Sequence, residues 1–272
     1  MSLRALNLGC GERYCPDWVN LDLHPSDPSV QAWDLQADVP FPEASFDVVY
    51  HSHVLEHFSK ADGLQLLERC RRVLRPGGTL RVVVPDLERI VQLYLGAFAK
   101  CVAGDQQATT QYDWAMLEMY DQTVRERSGG EMLAYVQDAN ESQLAFVKER
   151  LGAELQRMRP AKGEAATAAR ERTHGARRLA ETLRRKALRL LAGRDGISAY
   201  DQGMFRRSGE LHKWMYDRYS LASALHFAGF TDEKQCEAAE SRIPQWASFH
   251  LDTEPDGRTY KPDSLFMEAT RL

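Results

Sequence analysis

A chain of 272 residues has room for one large α/β domain, or for one such domain carrying an insertion. Its 43% apolar content suits a soluble globular protein and excludes wholesale disorder. No apolar run approaches the roughly 18 residues that cross a bilayer. The formal charge of −4 hides an asymmetry: residues 148–194 hold fourteen Lys and Arg against five Glu, or +9, which leaves −13 for the rest. The amino terminus lacks the basic region, long apolar region and small-residue cleavage site of a signal peptide. The cysteines (10, 15, 70, 101 and 236) are odd in number and form no CxxC pair. Together these features predict a reduced, cytoplasmic protein.

Taken in order, Ala5 to Leu8 reads as a buried strand cut off by Gly9-Cys10-Gly11. Val19 to Asp22 reads as a second strand ending in a carboxylate, a brief third surrounds Ala32 to Asp34, and the β-branched and aromatic run Phe46 to Tyr50 is a fourth. Ser59 can cap a helix carrying Leu64, Leu67 and Leu74, which Pro76-Gly77-Gly78 should stop before a fifth strand, Thr79 to Val84. Strands alternating with helix-length connections predict a doubly wound, mainly parallel sheet. Residues 87–100, 112–127, 131–159 and 164–191 all read as helical. In the last of these, Leu179, Leu183, Ala187 and Leu190 form an apolar stripe flanked by arginines, which makes 164–192 a basic amphipathic helix. A helix at 219–228, closed by Gly229, and a terminal strand at 264–269 return to the earlier logic. The expected organisation is therefore one sheet domain from 1–103 and 201–272, with a helical insertion or cap at 104–200.

Closely spaced glycines after a first strand let backbone approach a ligand, and a carboxylate ending the second strand can accept bonds from ribose hydroxyls. The order of motifs sharpens this. The chain runs Leu6-Asn7-Leu8-Gly9-Cys10-Gly11, then Asp22, then Asp34-Leu35 and Val39-Pro40-Phe41-Pro42-Glu43-Ala44-Ser45-Phe46-Asp47. His51-Ser52-His53-Val54-Leu55-Glu56-His57 and Val73-Leu74-Arg75-Pro76-Gly77-Gly78 follow. In these motifs the chain resembles the class I S-adenosylmethionine-dependent methyltransferases, most closely their small-molecule branch, over about residues 3–95 and weakly again over 210–271. The resemblance implies a Rossmann-like methyltransferase fold with S-adenosylmethionine as cofactor. It implies that Gly9, Cys10 and Gly11 face the amino-acid end of that cofactor with Asn7 near it, that Asp22 and Leu23 lie at the ribose, and that Asp34 and the Leu35 backbone meet the adenine. His51 and Ser52 would stand near the methionine part. Asp38 is a rival to Asp34 by position, and Asp47 reads as structural.

Two features depart from the pattern. The usual third glycine falls near Arg13, and Asp22 comes only thirteen positions after Gly9, so the first connecting helix should be short or missing. The same tyrosine-bearing loop (Tyr14 where a nicotinamide fingerprint needs a third small residue) disfavours a dehydrogenase. His51, His53 and His57 with Glu56 resemble a zinc-hydrolase signature, but the spacing is one residue too long and no later set completes it, so no metal is expected.

The implied reaction is methyl transfer to a small molecule or saccharide, with oxygen as the expected target. A hydroxyl acceptor needs a proton acceptor, for which His57, His212, Asp86 and His53 are the candidates in that order. Asp86 serves equally well as a cap for the helix starting at Leu87. No nucleic-acid module is visible, although the basic helix could contact RNA, anionic lipid or a protein partner. The alternatives are a catalytically inactive S-adenosylmethionine-binding regulator or, further off, a nucleic-acid methyltransferase.

Overall fold

The computed structural model describes residues 3–158 and 175–272. Seven strands form one sheet: β1 (Ala5–Leu8), β2 (Val19–Asp22), β3 (Gln31–Ala32), β4 (Phe46–Ser52), β5 (Leu74–Pro85), β6 (Phe230–Cys236) and β7 (Ser264–Arg271). Their order across the sheet is β3-β2-β1-β4-β5-β7-β6; β7 runs antiparallel to both neighbours and the first five strands are parallel. The fold is thus Rossmann-like, with its order reversing beside β1, where such sheets place a ligand.

Side chains alternate between the two faces of the sheet with the period of two that strands impose. Leu6, Leu8, Val49, Leu80, Val82, Leu265 and Met267 point to one face, covered by α1 (Lys60–Val73) and a late helix, Arg218–Phe227. Ser59 caps α1 by accepting from the Asp62 amide at 3.2 Å. The helix gives way to β5 at once, and Pro76-Gly77-Gly78 lies inside that strand. The irregularity is absorbed as a register shift, since Phe46 pairs with Leu74 and Val48 already pairs with Thr79. Gly78 suits the bulge because a Cβ there would stand 2.9 Å from the Arg75 carbonyl oxygen.

The opposite face has an unusual cover. No helix joins β1 to β2, β2 to β3 or β3 to β4. Instead, residues 237–252 return late in the chain and lay Ala238, Ile243, Trp246 and Leu251 against Ala5, Trp18, Val48, Tyr50 and Val83. What holds this segment is Arg81, fully buried in β5. It pairs with Asp252 at 2.7 Å and Glu268 at 2.8 Å, and donates to the carbonyls of Glu237, Ala238 and Glu240. Its guanidinium carbon also lies 4.5 Å from the centroid of the Trp246 ring. Tyr50 donates its hydroxyl to the same Asp252 at 2.6 Å.

Between β5 and the late helix run α2 (Leu87–Val102), α3 (Thr109–Val124), α4 (Gly130–Asp138), α5 (Glu141–Leu151), α6 (Glu154–Met158) and α7 (Gly175–Arg206); the late helix, Arg218–Phe227, is α8. The single helix expected over 131–159 is three. Asn140 and Gln143 form a reciprocal capping box that starts α5, and Gly152 ends it at φ +59, where any Cβ would run into the Tyr260 carbonyl. Trp114, Met132, Val136, Val147 and Leu151 give these helices their own apolar cluster. In the expected basic helix, residues 164–174 and the side chains of Leu179 and Leu183 lie outside what is described. From Gly175 onward the chain is helical but breaks at Gly193, with Leu190 and Leu191 exposed beside the break.

Because Arg81 neutralises two buried carboxylates, Arg81→Met should strand both charges. Urea unfolding should show a loss of about 3–5 kcal/mol. Arg81→Met combined with Asp252→Asn and Glu268→Gln should recover much of that loss.

Candidate functional site

The loop after β1 is built by its glycines and by Asp22. Gly9 and Gly11 have φ of +64° and +54°, and a Cβ on Gly9 would stand 2.5 Å from a Val54 methyl. The amides of Gly9 and Cys10 both donate to the Leu21 carbonyl, at 2.8 and 3.1 Å. Asp22 accepts from the Gly11 amide at 2.8 Å through one carboxylate oxygen and from the His24 amide at 2.8 Å through the other. Each oxygen retains a lone pair for an outside donor. Arg13, where the sequence lacks a third glycine, is the loop's anchor. It donates to the carbonyls of His250, Leu251 and Thr253, pairs with Glu254 at 3.0 Å, and stacks on the Tyr260 ring at 3.8 Å.

A cleft of about 430 Å³ opens beside this loop. Gly9, Asp22, Leu23, Asp34, Leu35, His53 and His57 line it, with Trp33 and Val54 as apolar walls. Asp34 ends in a turn, one oxygen accepting from the Gln36 amide at 2.9 Å. Its rival Asp38 lies outside the lining and is engaged by Arg72 at 3.2 Å. The other expected cofactor residues are not among those lining the cleft. Asn7 is buried and donates to the Arg13 carbonyl at 3.3 Å, so it shapes the loop from behind. Burial, together with Asp22, pushes the Cys10 thiol up to about 12. Gly11 is spent on Asp22. His51 is wholly buried within β4, with neither ring nitrogen partnered, and burial holds it down at about 4. Ser52 ends the same strand without reaching the cleft. Arg207, Ser208, Gly209 and Lys213, none of them expected at the site, form the far rim. They follow a long helix, and only the weak family-like run His212-Lys213-Trp214-Met215-Tyr216 marks this stretch of sequence.

A second cavity, of about 400 Å³, lies under α3–α6 and shares His53, His57 and Gly209 with the first. Its lining is mixed: Glu118, Glu154, His212 and Lys261 supply polar groups, and Ile90, Met132 and Leu151 supply apolar walls. His53 sits at the junction with φ +54, in the left-handed region that a histidine enters at a cost. Its Nε2 lies 2.9 Å from Ser264 Oγ, and burial with the charge of Lys261 lowers it to about 3. Burial, then neighbouring His57, lower His212 well below the usual imidazole value. The His57 ring meets that of His212 edge-on at 4.9 Å, and its Nδ1 lies 3.1 Å from the Leu211 carbonyl oxygen. Asp86 lines neither cavity. It caps α2 through the Arg89 amide at 3.2 Å, and its own amide donates to the Asp263 carbonyl at 3.0 Å. The geometry therefore gathers three of the four candidate bases and leaves Asp86 in its capping role.

The model of the methyltransferase domain family matches residues 6–82. A protein of Mycolicibacterium smegmatis, named a probable S-adenosylmethionine-dependent methyltransferase, is 46% identical over 50 residues, which are 18% of this chain. The match spans 19% of that relative's length. Among solved structures, a chain from the Haloferax volcanii complex of the Trm112 methyltransferase activator with a methyltransferase is 13% identical. It covers 99% of this chain and 82% of its own, with a TM-score of 0.39. An S-adenosylmethionine-dependent methyltransferase of Mesorhizobium loti is 22% identical over 34% of this chain and 49% of its own, with a TM-score of 0.26. Over residues 6–82 the chain is thus similar to the methyltransferase domain family, and over 50 residues to a probable S-adenosylmethionine-dependent methyltransferase. No helix among the described residues is long and apolar enough to cross a membrane.

Asp263 gives the second cavity a measurable signature. Burial and the charge of Glu118 push its carboxyl from 3.8 up to about 7, so the fold favours the protonated form. The native state then holds a proton that the unfolded chain has released, and stability falls as pH rises through that window. Asp263→Asn should remove this slope, which equilibrium unfolding between about pH 4 and pH 8 would measure against the wild type.

Proposed function

We propose that this protein transfers a methyl group from S-adenosylmethionine, held in the cleft beside Asp22, to a hydroxyl of a small molecule or saccharide held in the second cavity. The observation that carries this reading is the meeting of the two cavities at His53, His57 and Gly209. One cavity has the features a nucleoside needs: a glycine turn open to backbone approach, a strand-end carboxylate with lone pairs to spare, and apolar walls for a purine. The other is of small-molecule size and sets hydrogen-bonding groups among apolar walls, which suits an acceptor carrying hydroxyls on a carbon frame.

S-adenosylmethionine supplies, when bound, a methyl carbon activated by its sulfonium charge, so the acceptor's lone pair displaces the thioether in line and the protein's task is positioning. In this reading Asp22 and Leu23 hold the ribose and Asp34 with Leu35 the adenine, while the Gly9 turn leaves room for the amino-acid end. The helices over 104–200 act as a cap that walls the acceptor from water. Of the candidate bases, His53 and His212 are held neutral and weakly basic by burial, and Asp86 is committed to α2. That leaves His57 to handle the acceptor's proton, directly or through something bound to it.

Calorimetry of S-adenosylmethionine binding tests the cofactor half. Asp22→Ala should weaken binding about ten- to a hundredfold, the range for a lost hydrogen bond to a charged group. Unchanged affinity would remove Asp22 from the site. Turnover on a panel of hydroxylated acceptors tests the rest, and tight cofactor binding without turnover on any of them would favour the regulatory alternative.

A further inference from the structure

Around His57, which the two cavities share, Glu56, His57 and His212 bring one donor atom each to within 4.8 Å of one another. We propose that this trio is a two-histidine, one-carboxylate site for a divalent first-row metal ion such as zinc. The proposal rests on the reading of the second cavity as the acceptor site, and it assigns the metal to that acceptor's hydroxyl.

Three observations carry it. Glu56 is entirely buried, and neither carboxylate oxygen has a hydrogen-bond partner. His53 Nδ1 lies 3.2 Å from one of them without making a hydrogen bond. A buried carboxylate without donors is costly, and a metal ion relieves that cost more fully than any neighbour in place. His212 is likewise 4% exposed, and its Nδ1 has no partner. The His57 ring, finally, is held by a backbone carbonyl, that of Leu211, at 3.1 Å from Nδ1. A carbonyl on one ring nitrogen is the usual device for fixing the tautomer and aim of a metal-binding imidazole.

The geometry needs only a modest contraction. Ligands about 2.0–2.2 Å from a zinc ion stand roughly 3.3 Å apart in a tetrahedron. Closing from 4.8 Å is within reach of side-chain rotation. Three protein ligands leave a fourth position for a water or substrate oxygen, the arrangement of catalytic zinc. Both histidines line the acceptor cavity, so that position can face the acceptor. A hydroxyl bound there would lose its proton far more readily than in water. The Glu154 carboxylate on the same cavity, 2.9 Å from Lys261, offsets that neighbouring charge.

Zinc titration of chelator-treated protein, against a chromogenic competitor and without cofactor or acceptor, is the direct test. The wild type should take up one equivalent, and cobalt in its place should show the visible absorption of a four- or five-coordinate ion. Glu56→Gln, which keeps the shape and removes the charge, and His57→Asn, on a partly exposed ring, should each weaken zinc binding at least tenfold while far-ultraviolet circular dichroism stays unchanged. Asp22→Ala should bind zinc as the wild type does, so that loss of the cofactor reading and loss of the metal reading are separately visible. Wild-type protein that takes up no equivalent of zinc, or a Glu56→Gln variant that binds it unchanged, would overturn the proposal.

Discussion

The buried guanidinium of Arg81 is the interaction on which the layout of this molecule depends. An arginine in the middle of a central strand is tolerable only if its charge and its donors are all met. Asp252, Glu268 and three carbonyls meet them, and every one of those partners lies in the last forty or so residues of the chain. The arginine thus fixes where the late segment must lie. That segment in turn takes the place of helices that the β1–β2, β2–β3 and β3–β4 connections do not form. Arg13 works the same way at the loop after β1, so two arginines do the work of a missing helix.

The first half of the fold was legible because its signals are local. Ala5 to Leu8, Val19 to Asp22 and Phe46 to Tyr50 carry their strand character in adjacent residues, and Ser59 announces its helix within a single turn. The thirteen-residue spacing from Gly9 to Asp22 also exposed the missing helix. What covers the sheet instead was not legible, because Arg81 and Asp252 are 171 positions apart and nothing in either neighbourhood names the other. The division of 131–159 into three helices turned on a cap at Asn140 and on a glycine facing Tyr260, the second of which is a tertiary contact.

The site divides along the same line. Asp22 and Asp34 occupy motif positions and line the cleft, whereas His51, equally prominent in the motif, is buried by strand alternation. Glu56 and His57 looked incomplete as a ligand set because their neighbours in sequence supply nothing. The residue that joins them, His212, arrives with a loop anchored by backbone bonds from Lys213 to Glu56 at 2.7 Å and from His212 to Gln122 at 2.9 Å. Composition and periodicity do not register an encounter of that kind.

The anchoring of Arg13 by His250, Leu251 and Thr253 has a consequence for how the molecule is made. These contacts join residues 237 to 240 positions apart, so the loop that opens the chain is tied down by residues near its end. During synthesis the amino-terminal strands leave the ribosome first, but the loop's anchor follows more than two hundred residues later, on the order of ten seconds or more at ordinary rates of elongation. Over that interval the nascent sheet carries an uncovered apolar face, with Trp18 and Tyr50 on it, and an arginine in β5 still without its carboxylates. The family-like segment at residues 6–82 is therefore a recognisable piece of sequence that is not a self-sufficient folding unit, and a fragment ending there would lack both its lid and its counter-ions.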